Sequence, residues 1–130
     1  MPAVGNAGVT QVILGLLDAT YADTRYKKRP ESGFPAHPLQ ALQLLRVPAD
    51  VAKNAALTAA LSASIGAGVS LAKDLVGAPP NSKTPLVMAQ VARDIAASSG
   101  GTITCQVLGA EECLALGMGA YLGVQSGSRY

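Results

Sequence analysis

The sequence predicts an α/β fold that is dominated by helices, and three observations support this prediction. Residues 49–76 carry apolar side chains at helical spacing over a long stretch. A second helical pattern runs over residues 86–98. Residues 102–108 alternate apolar and polar side chains, which is typical of a strand with one buried face. We therefore expect a long central helix and a few short strands that form the edge of an incomplete α/β sheet.

The amino-terminal residues 1–47 are predicted to contain one helix, one connector and one strand. Residues 9–21 form the helix, because apolar residues recur there at helical spacing. Residues 22–38 are charged and interrupted by prolines, which favours a solvated connector. Residues 39–47 are a short apolar run between proline boundaries, which favours a strand, although the same run can begin a helix.

The long helix predicted over residues 49–76 begins after Pro48, a residue that suits a first helical turn. Gly66 and Gly68 interrupt it, and each destabilises the helix by about 1 kcal/mol relative to alanine. Such glycines indicate that another backbone approaches, or that the helix bends. The helix carries one apolar stripe, formed largely at i, i+4 spacing by Leu57, Leu61, Ile65, Val69 and Leu75.

Residues 72–85 end one helix and begin the next. The prolines that start at Pro79 terminate the long helix, and Gly77 suits its carboxyl end. Thr84 and Pro85 indicate a helix start, because a threonine hydroxyl can cap free amides and proline needs no amide partner in the first turn. One face of the second helix carries Val87, Val91 and Ile95.

The carboxyl-terminal residues are predicted to form a strand, a short helix and a further strand. The first strand is 102–108. Glu111 and Glu112 open the short helix, because acidic residues suit the positive end of its dipole. Helical neighbours point about 100° apart, so this pair favours a solvated turn over a catalytic pair of carboxylates. The glycine-rich residues 117–124 lead into the second strand and precede it, which argues against a phosphate-binding loop.

Composition and charge argue against nucleic acid and membrane partners. The net charge of +2 is too small to favour either one. One Phe, four Tyr and no Trp leave few side chains for stacking on bases. The basic cluster over residues 25–29 lies among prolines, which favours a solvated connector over a phosphate clamp. Residues 55–72 are uncharged but diluted by serine and threonine, so we expect no membrane span.

No catalytic, cofactor-binding or metal-binding residue is identified in the sequence. His37 has no second histidine and no carboxylate at ligand spacing, which favours a surface position. Cys105 and Cys113 match neither a redox pair nor a zinc site, so we expect two buried thiols in a reducing compartment. The eight carboxylates are scattered, whereas a two-metal site requires a cluster.

Several segments together resemble the leucyl (cytosol) aminopeptidase family. Residues 71–85, LAKDLVGAPPNSKTP, resemble the family segment LARDLVNxPxNxxTP, and residues 116–124, LGMGAYLGV, resemble LGMGAxLxV. The run between them matches the family's VxVLxxExxxxLGMG in order and spacing. Residues 14–16 with 26–27 resemble the end of the family's amino-terminal domain. The likeness covers nearly the whole chain and is greatest to plant, algal and cyanobacterial members; Gly77 replaces the family's usual asparagine.

The resemblance implies a division into three parts and a parent activity. Residues 1–47 correspond to a remnant of the amino-terminal domain, 48–80 to the interdomain helix and its proline-rich turn, and 81–130 to the incomplete start of the catalytic domain. Family members are two-metal exopeptidases that use zinc or manganese to release amino-terminal residues from peptides. The family's metal-binding segments have no counterpart in this chain, so no site residue is carried over and we expect the chain alone to be inactive.

Two hypotheses follow from the resemblance. In the first, the chain is a fragment or truncated form of a leucyl aminopeptidase; its partner is the remainder of the catalytic domain, and its parent is a homo-oligomer, commonly a hexamer in this family. In the second, it is a non-catalytic, aminopeptidase-derived structural or interaction subunit of a larger assembly. Both hypotheses imply an intracellular protein and leave cytoplasm, plastid and mitochondrion open.

Overall fold

The computed structural model describes residues 5–34 and 39–128, and all regular secondary structure in these ranges is helical. The chain divides into two compact units, Met1–Ala78 and Pro79–Tyr130. The helices of the described ranges are α1 (Asn6–Thr20), α2 (Ala49–Lys53), α3 (Ala55–Gly77), α4 (Pro85–Ser98), α5 (Ala110–Ala115) and α6 (Gly119–Gln125).

The prediction of short strands at a sheet edge is wrong, because the described residues contain no strand. Residues 39–47 and 102–108 have no regular secondary structure, and residues 119–125 form helix α6 where we expected a strand. A strand persists only where a neighbouring strand takes up its N–H and C=O groups. Alternation along 102–108 specifies two faces but supplies no pairing partner. The helix-dominated part of the prediction agrees with the structure.

The helix predicted over residues 49–76 is divided at Asn54 into α2 and α3. Asn54 has φ −100° and ψ 9°, and its amide N–H donates to the carbonyl of Val51 at 3.1 Å. Its side-chain amide reaches the carbonyl of Asp50 at 3.4 Å. Asparagine side chains compete in this way with the hydrogen bonds of a continuous helix. Helix α3 alone is still about 35 Å long.

Helix α1 packs on a face of α3 that is lined by small residues. The buried residues of α3 are Thr58, Ser62 and Gly66. The fully buried hydroxyl of Ser62 donates to the carbonyl of Thr58 at 2.7 Å, so burial leaves it satisfied. In α1, the buried residue is Val9. Small side chains on this face of α3 therefore bring the two helices together.

Four of the five residues in the apolar stripe of α3 are exposed, and Leu75 is half-buried. Leu57 is 71% exposed and Leu61 is 53% exposed, and Ile65 and Val69 are exposed as well. Helix α3 has 23 residues and a mean hydropathy of 1.6, so by length and composition alone it is able to cross a membrane. A single helix of this kind is a weak indication, because core helices of soluble proteins pass the same test. The absence of a membrane span stays a prediction.

The sequence predicted a close backbone approach or a bend at the two helix glycines, and the structure shows a side chain close to one of them. A Cβ atom added to Gly66 would lie 2.5 Å from Cδ1 of Leu17, whereas one added to Gly68 would have no neighbour within 4 Å. The approaching group is a side chain of α1 rather than a backbone. A larger residue at Gly66 therefore requires the side chain of Leu17 to move, whereas Gly68 has open space.

The stop and start signals around residues 72–85 are confirmed. Helix α3 ends at Gly77, and Ala78 is extended with φ −67° and ψ 135°. Helix α4 begins at Pro85, and the hydroxyl of Thr84 accepts a hydrogen bond from the amide of Val87 at 3.4 Å. The threonine cap and the proline in the first turn therefore act as the sequence indicated.

In the second unit, α5 and α6 contact each other across a glycine turn. Gly117 has φ 70°, a conformation that glycine adopts readily. The amide of Gly117 donates to the carbonyl of Leu114 at 3.0 Å, and that of Met118 donates to the carbonyl of Cys113 at 2.9 Å. This pair of bonds is a Schellman motif, so the glycine ends helix α5.

The two helix glycines provide a matched pair of substitutions for testing the packing of α1 on α3. We expect Gly68→Ala to stabilise the chain by about 1 kcal/mol, because alanine favours a helix and the site is open. Gly66→Ala forfeits this gain, because the side chain of Leu17 has to move. The thermal midpoint of the Gly68 variant should exceed that of the Gly66 variant by about 4 °C. Equal midpoints would contradict the role of Gly66.

Candidate functional site

A polar cluster joins the connector after α1 to the last turns of α3, within the first unit. Its geometry depends on side chains that are far apart in sequence, since residue pairs 55, 53 and 49 positions apart are hydrogen-bonded. The members of the polar cluster are Asp18, Tyr21, Asp23, Arg25, Lys73 and Asp74.

Arg25 is the centre of the polar cluster. Its guanidinium forms a two-point contact with Asp23, with Nε to Oδ1 at 2.9 Å and Nη2 to Oδ2 at 2.7 Å. The same Nη2 donates to the backbone carbonyl of Asp74 at 2.7 Å and lies 3.1 Å from its Oδ1. A cation at the carboxyl end of a helix is favoured by the helix dipole. Arg25 therefore ties the connector to the end of α3.

Tyr21 and Lys73 complete the tie between the connector and α3. The hydroxyl of Tyr21 donates to Oδ1 of Asp74 at 2.7 Å. The ammonium of Lys73 pairs with Asp18 of α1 and lies 4.9 Å from the centre of the Tyr21 ring. These contacts are partly exposed, so each one alone contributes modestly to stability. Together they set where the end of α3 lies relative to α1.

The pKa values of Tyr21, Asp23 and Arg25 keep each of these three groups in one charge state near neutral pH. Hydrogen bonds from Arg25 lower the pKa of Asp23 from 3.8 to about 2. The hydrogen bond to Asp74, with some burial, raises the pKa of Tyr21 from 10.0 to about 12. The hydrogen bonds to Asp23 raise the pKa of Arg25. A general acid or base needs a pKa near the working pH, so these three groups are suited to holding structure rather than to proton transfer.

An open cavity of about 480 Å³ lies beside the polar cluster and includes Gly77 among its walls. A Cβ atom at Gly77 would lie 3.2 Å from Oδ2 of Asp23. The end of α3 is thus close to the carboxylate that holds Arg25. Gly77 is not one of the described glycines with a positive φ. The short distance to Asp23, rather than the backbone conformation, therefore explains a glycine at this position. The remaining walls are formed by Tyr21, Ala22, Tyr26 and Lys27.

The second unit contains an apolar groove of about 780 Å³. No charged residue lines it, although 14% of the chain is charged. Its walls come from the start of α4, from residues 108–110, and from α5 and α6 with the residue that follows at 128. The apolar groove is lined by Pro85, Leu86, Leu108, Gly109, Ala110, Cys113, Ala120, Tyr121, Leu122, Val124, Gln125 and Ser128.

The structure corrects one expectation about cysteine and leaves another residue undescribed. Cys105 is exposed and Cys113 is half-buried, both as free thiols, so the expectation of two buried thiols is wrong. Segment 102–108 forms no strand and leaves Cys105 exposed. His37 lies outside the described residues. Within the described ranges, no group of three His, Cys, Asp or Glu side chains is placed to hold a metal ion.

The acidic pair opens a short helix and the basic cluster lies in an exposed connector, as the sequence predicted. Glu111 and Glu112 are in the first turn of α5, and the carboxylate of Glu112 accepts a hydrogen bond from the amide of Gly109 at 2.7 Å. The residues of the basic cluster at 25–29 are exposed. The sequence did not predict the ion pair of Arg25 with Asp74, because the two residues are 49 positions apart. The Asp-x-Arg spacing of Asp23 and Arg25 was the one visible signal.

The chain matches one protein family and several curated relatives. Residues 70–130 match the catalytic domain of the cytosol aminopeptidase family. A probable cytosol aminopeptidase of Microcystis aeruginosa is 40% identical over 131 residues, which cover 98% of this chain and 25% of the relative. The corresponding protein of Parasynechococcus marenigrum is 42% identical over 110 residues, covering 85% of this chain and 21% of the relative. That of Rippkaea orientalis is 35% identical over 98% of this chain and 25% of the relative.

These matches confirm the resemblance found in the sequence motifs. By sequence the chain is similar to members of the cytosol aminopeptidase family, a family of metallopeptidases, and to cyanobacterial members in particular. It spans about a quarter of the length of the curated relatives that it matches. No solved structure matches it.

The lowered pKa of Asp23 predicts how the stability conferred by the polar cluster depends on pH. A carboxylate whose pKa is lowered by folding stabilises the folded chain fully at pH values above its ordinary pKa, here 3.8. This contribution is lost as the pH falls through the folded-state pKa of about 2. We expect Asp23→Asn to lower the thermal midpoint by the same amount at pH 5 and pH 8, and by progressively less toward pH 2. Circular dichroism melts at each pH measure the difference.

Glu31→Gln provides the control for the Asp23 variant. It removes one negative charge from the same connector, and Glu31 forms no ion pair among the described residues. We expect the control to change the midpoint little at any pH. A midpoint difference for Asp23→Asn that stays constant down to pH 2 would contradict the ion pair with Arg25.

Proposed function

We propose that this chain is a segment of a leucyl aminopeptidase, a two-metal exopeptidase that releases amino-terminal residues from peptides. The observation that carries the proposal is the match of residues 70–130 to the catalytic domain of the cytosol aminopeptidase family. The three-part assignment of residues 1–47, 48–80 and 81–130 belongs to this proposal. In it, α3 is the interdomain helix, and α4 to α6 belong to the start of the peptidase domain.

We propose that the chain is inactive alone and that the metal ions belong to the parent enzyme. Manganese or zinc requires a cluster of carboxylate or nitrogen ligands, and a two-metal site requires several of them. The described residues place no such group together, so they do not fit the metal centre of the family. No step of peptide hydrolysis is therefore assigned to residues of this chain.

The proposed partner is the remainder of the peptidase domain, within a homo-oligomeric, intracellular parent. The relatives are about four times as long as the matched region, which supports a partner formed by the rest of such a protein. Their name, probable cytosol aminopeptidase, supports an intracellular location without deciding the compartment.

A second candidate function is that of a non-catalytic structural or interaction subunit derived from an aminopeptidase. The exposed apolar stripe of α3 favours it, because contiguous exposed apolar residues mark interaction surfaces. This hypothesis requires a stable complex between the chain itself and a larger partner. The first hypothesis requires activity when the chain is joined to the rest of a peptidase.

A chimera tests the proposed function. The matched region of the Microcystis aeruginosa relative is replaced with this chain, and hydrolysis of leucine p-nitroanilide is measured with Mn²⁺ or Zn²⁺. We expect the chimera to hydrolyse the substrate and the isolated chain to show no turnover. We also expect neither metal to raise the thermal midpoint of the isolated chain, because the described residues hold no metal cluster.

Two results would contradict the proposed function. Turnover by the pure isolated chain would show that it carries a complete site. A chimera that folds and assembles like the relative but has no activity would show that the chain cannot serve as this part of the enzyme. A matched control is the same chimera built from the Parasynechococcus marenigrum segment, which is also about 40% identical to this chain.

A further inference from the structure

We propose that the connector after α1 is a cleavage site for an endopeptidase that cuts after basic residues, and that the two pieces stay together after the cut. The favoured bond joins the carbonyl carbon of Lys27 to the amide nitrogen of Lys28. Water supplies the hydroxyl of the new carboxyl group and the hydrogen of the new amino group. The site lies within the first unit and does not depend on the proposed function.

The basic cluster over residues 25–29 is accessible to a protease. All five residues are exposed, and none of them belongs to a helix. The amide of Lys27 donates to the carbonyl of Thr24 at 3.2 Å, which is a local turn bond. A turn that is held by local bonds opens at little cost in free energy. Exposed segments of this kind are the preferred places where proteases cut folded chains.

The side chains that such a protease recognises are free at two adjacent positions. An endopeptidase of this class holds the cation that precedes the cut against a carboxylate of its own. Lys27, Lys28 and Arg29 form no ion pair among the described residues, whereas Arg25 is engaged in the polar cluster. Pro30 follows Arg29 and has no amide hydrogen, which disfavours a cut between them. The bonds after Lys27 and Lys28 are therefore the best substrates.

The other basic residues of the described chain are poorer sites. A protease takes its substrate in an extended conformation. Lys53, Lys73 and Arg93 lie in helices, which have to unwind before they can be bound in this way. Arg46 is exposed but has φ 57°, and Lys83 is half-buried beside the cap of α4. Among the described residues, the basic cluster therefore combines exposure, irregular backbone and adjacent free cations.

The contacts that join α1 to α3 have their two partners on opposite sides of the proposed cut. Asp18, Tyr21 and Arg25 precede it, and their partners Lys73 and Asp74 follow it. The packing of α1 on the small-residue face of α3 spans the cut in the same way. None of these contacts needs the connector to be continuous, so residues 1–27 remain bound to residues 28–130. Cleavage makes this contact bimolecular, so the association becomes dependent on concentration.

Limited digestion of the chain with trypsin, followed by intact mass spectrometry and gel filtration, tests the site. We expect the first cut within residues 25–29, and we expect both pieces to elute together and to keep the helical circular dichroism signal. Lys27→Gln combined with Lys28→Gln should slow the first cut about fivefold or more, whereas Arg46→Gln should change its rate less than about twofold. A first cut at Arg46 or Lys83, or cuts within α3 and α4 at a similar rate, would overturn the site.

Tyr21 and Tyr26 provide a matched pair of substitutions for testing what holds the pieces together. Both precede the cut; the hydroxyl of Tyr21 donates to Asp74, whereas that of Tyr26 forms no hydrogen bond among the described residues. In the cut chain, we expect Tyr21→Phe to weaken the association of the pieces about fivefold or more, and Tyr26→Phe to change it less than about twofold. Sedimentation over a range of concentrations measures both. Equal effects of the two variants, or pieces that separate at every concentration, would overturn the proposed retention.

Discussion

The close packing of α1 on the small-residue face of α3 is the constraint on which the rest of the first unit depends. Gly66 leaves room for Leu17, and the hydroxyl of Ser62 is satisfied within its own helix. Because small residues occupy the interface, the larger apolar side chains of α3 are directed elsewhere and stay exposed. The same packing brings the connector after α1 to the end of α3, where Arg25 and Asp74 meet.

The two units carry different surfaces. The first unit has the polar cluster, in which the pKa of Asp23 is lowered and that of Tyr21 is raised, both away from neutral pH. Its contacts hold the end of α3 in place. The second unit has an uncharged groove and lies in the part of the chain that matches a catalytic domain.

Local signals predicted much of the helical structure. Thr84 and Pro85 begin α4, and the helix before them ends at Gly77, because capping and proline effects act over three or four residues. The two strands at 39–47 and 102–108 were predicted wrongly, because a strand depends on hydrogen bonds to a partner that local sequence does not specify. The division at Asn54 also went unpredicted.

By itself, the sequence determined the family, the helix-dominated character and the positions where helices start and stop, since motifs and caps are written in neighbouring residues. The tertiary structure decided which face of α3 is buried, that Arg25 reaches Asp74, and that residues from α4, α5 and α6 enclose one apolar groove. These features join residues tens of positions apart. Their energies depend on distance in space and on excluded water, and neither quantity can be read from the order of residues alone.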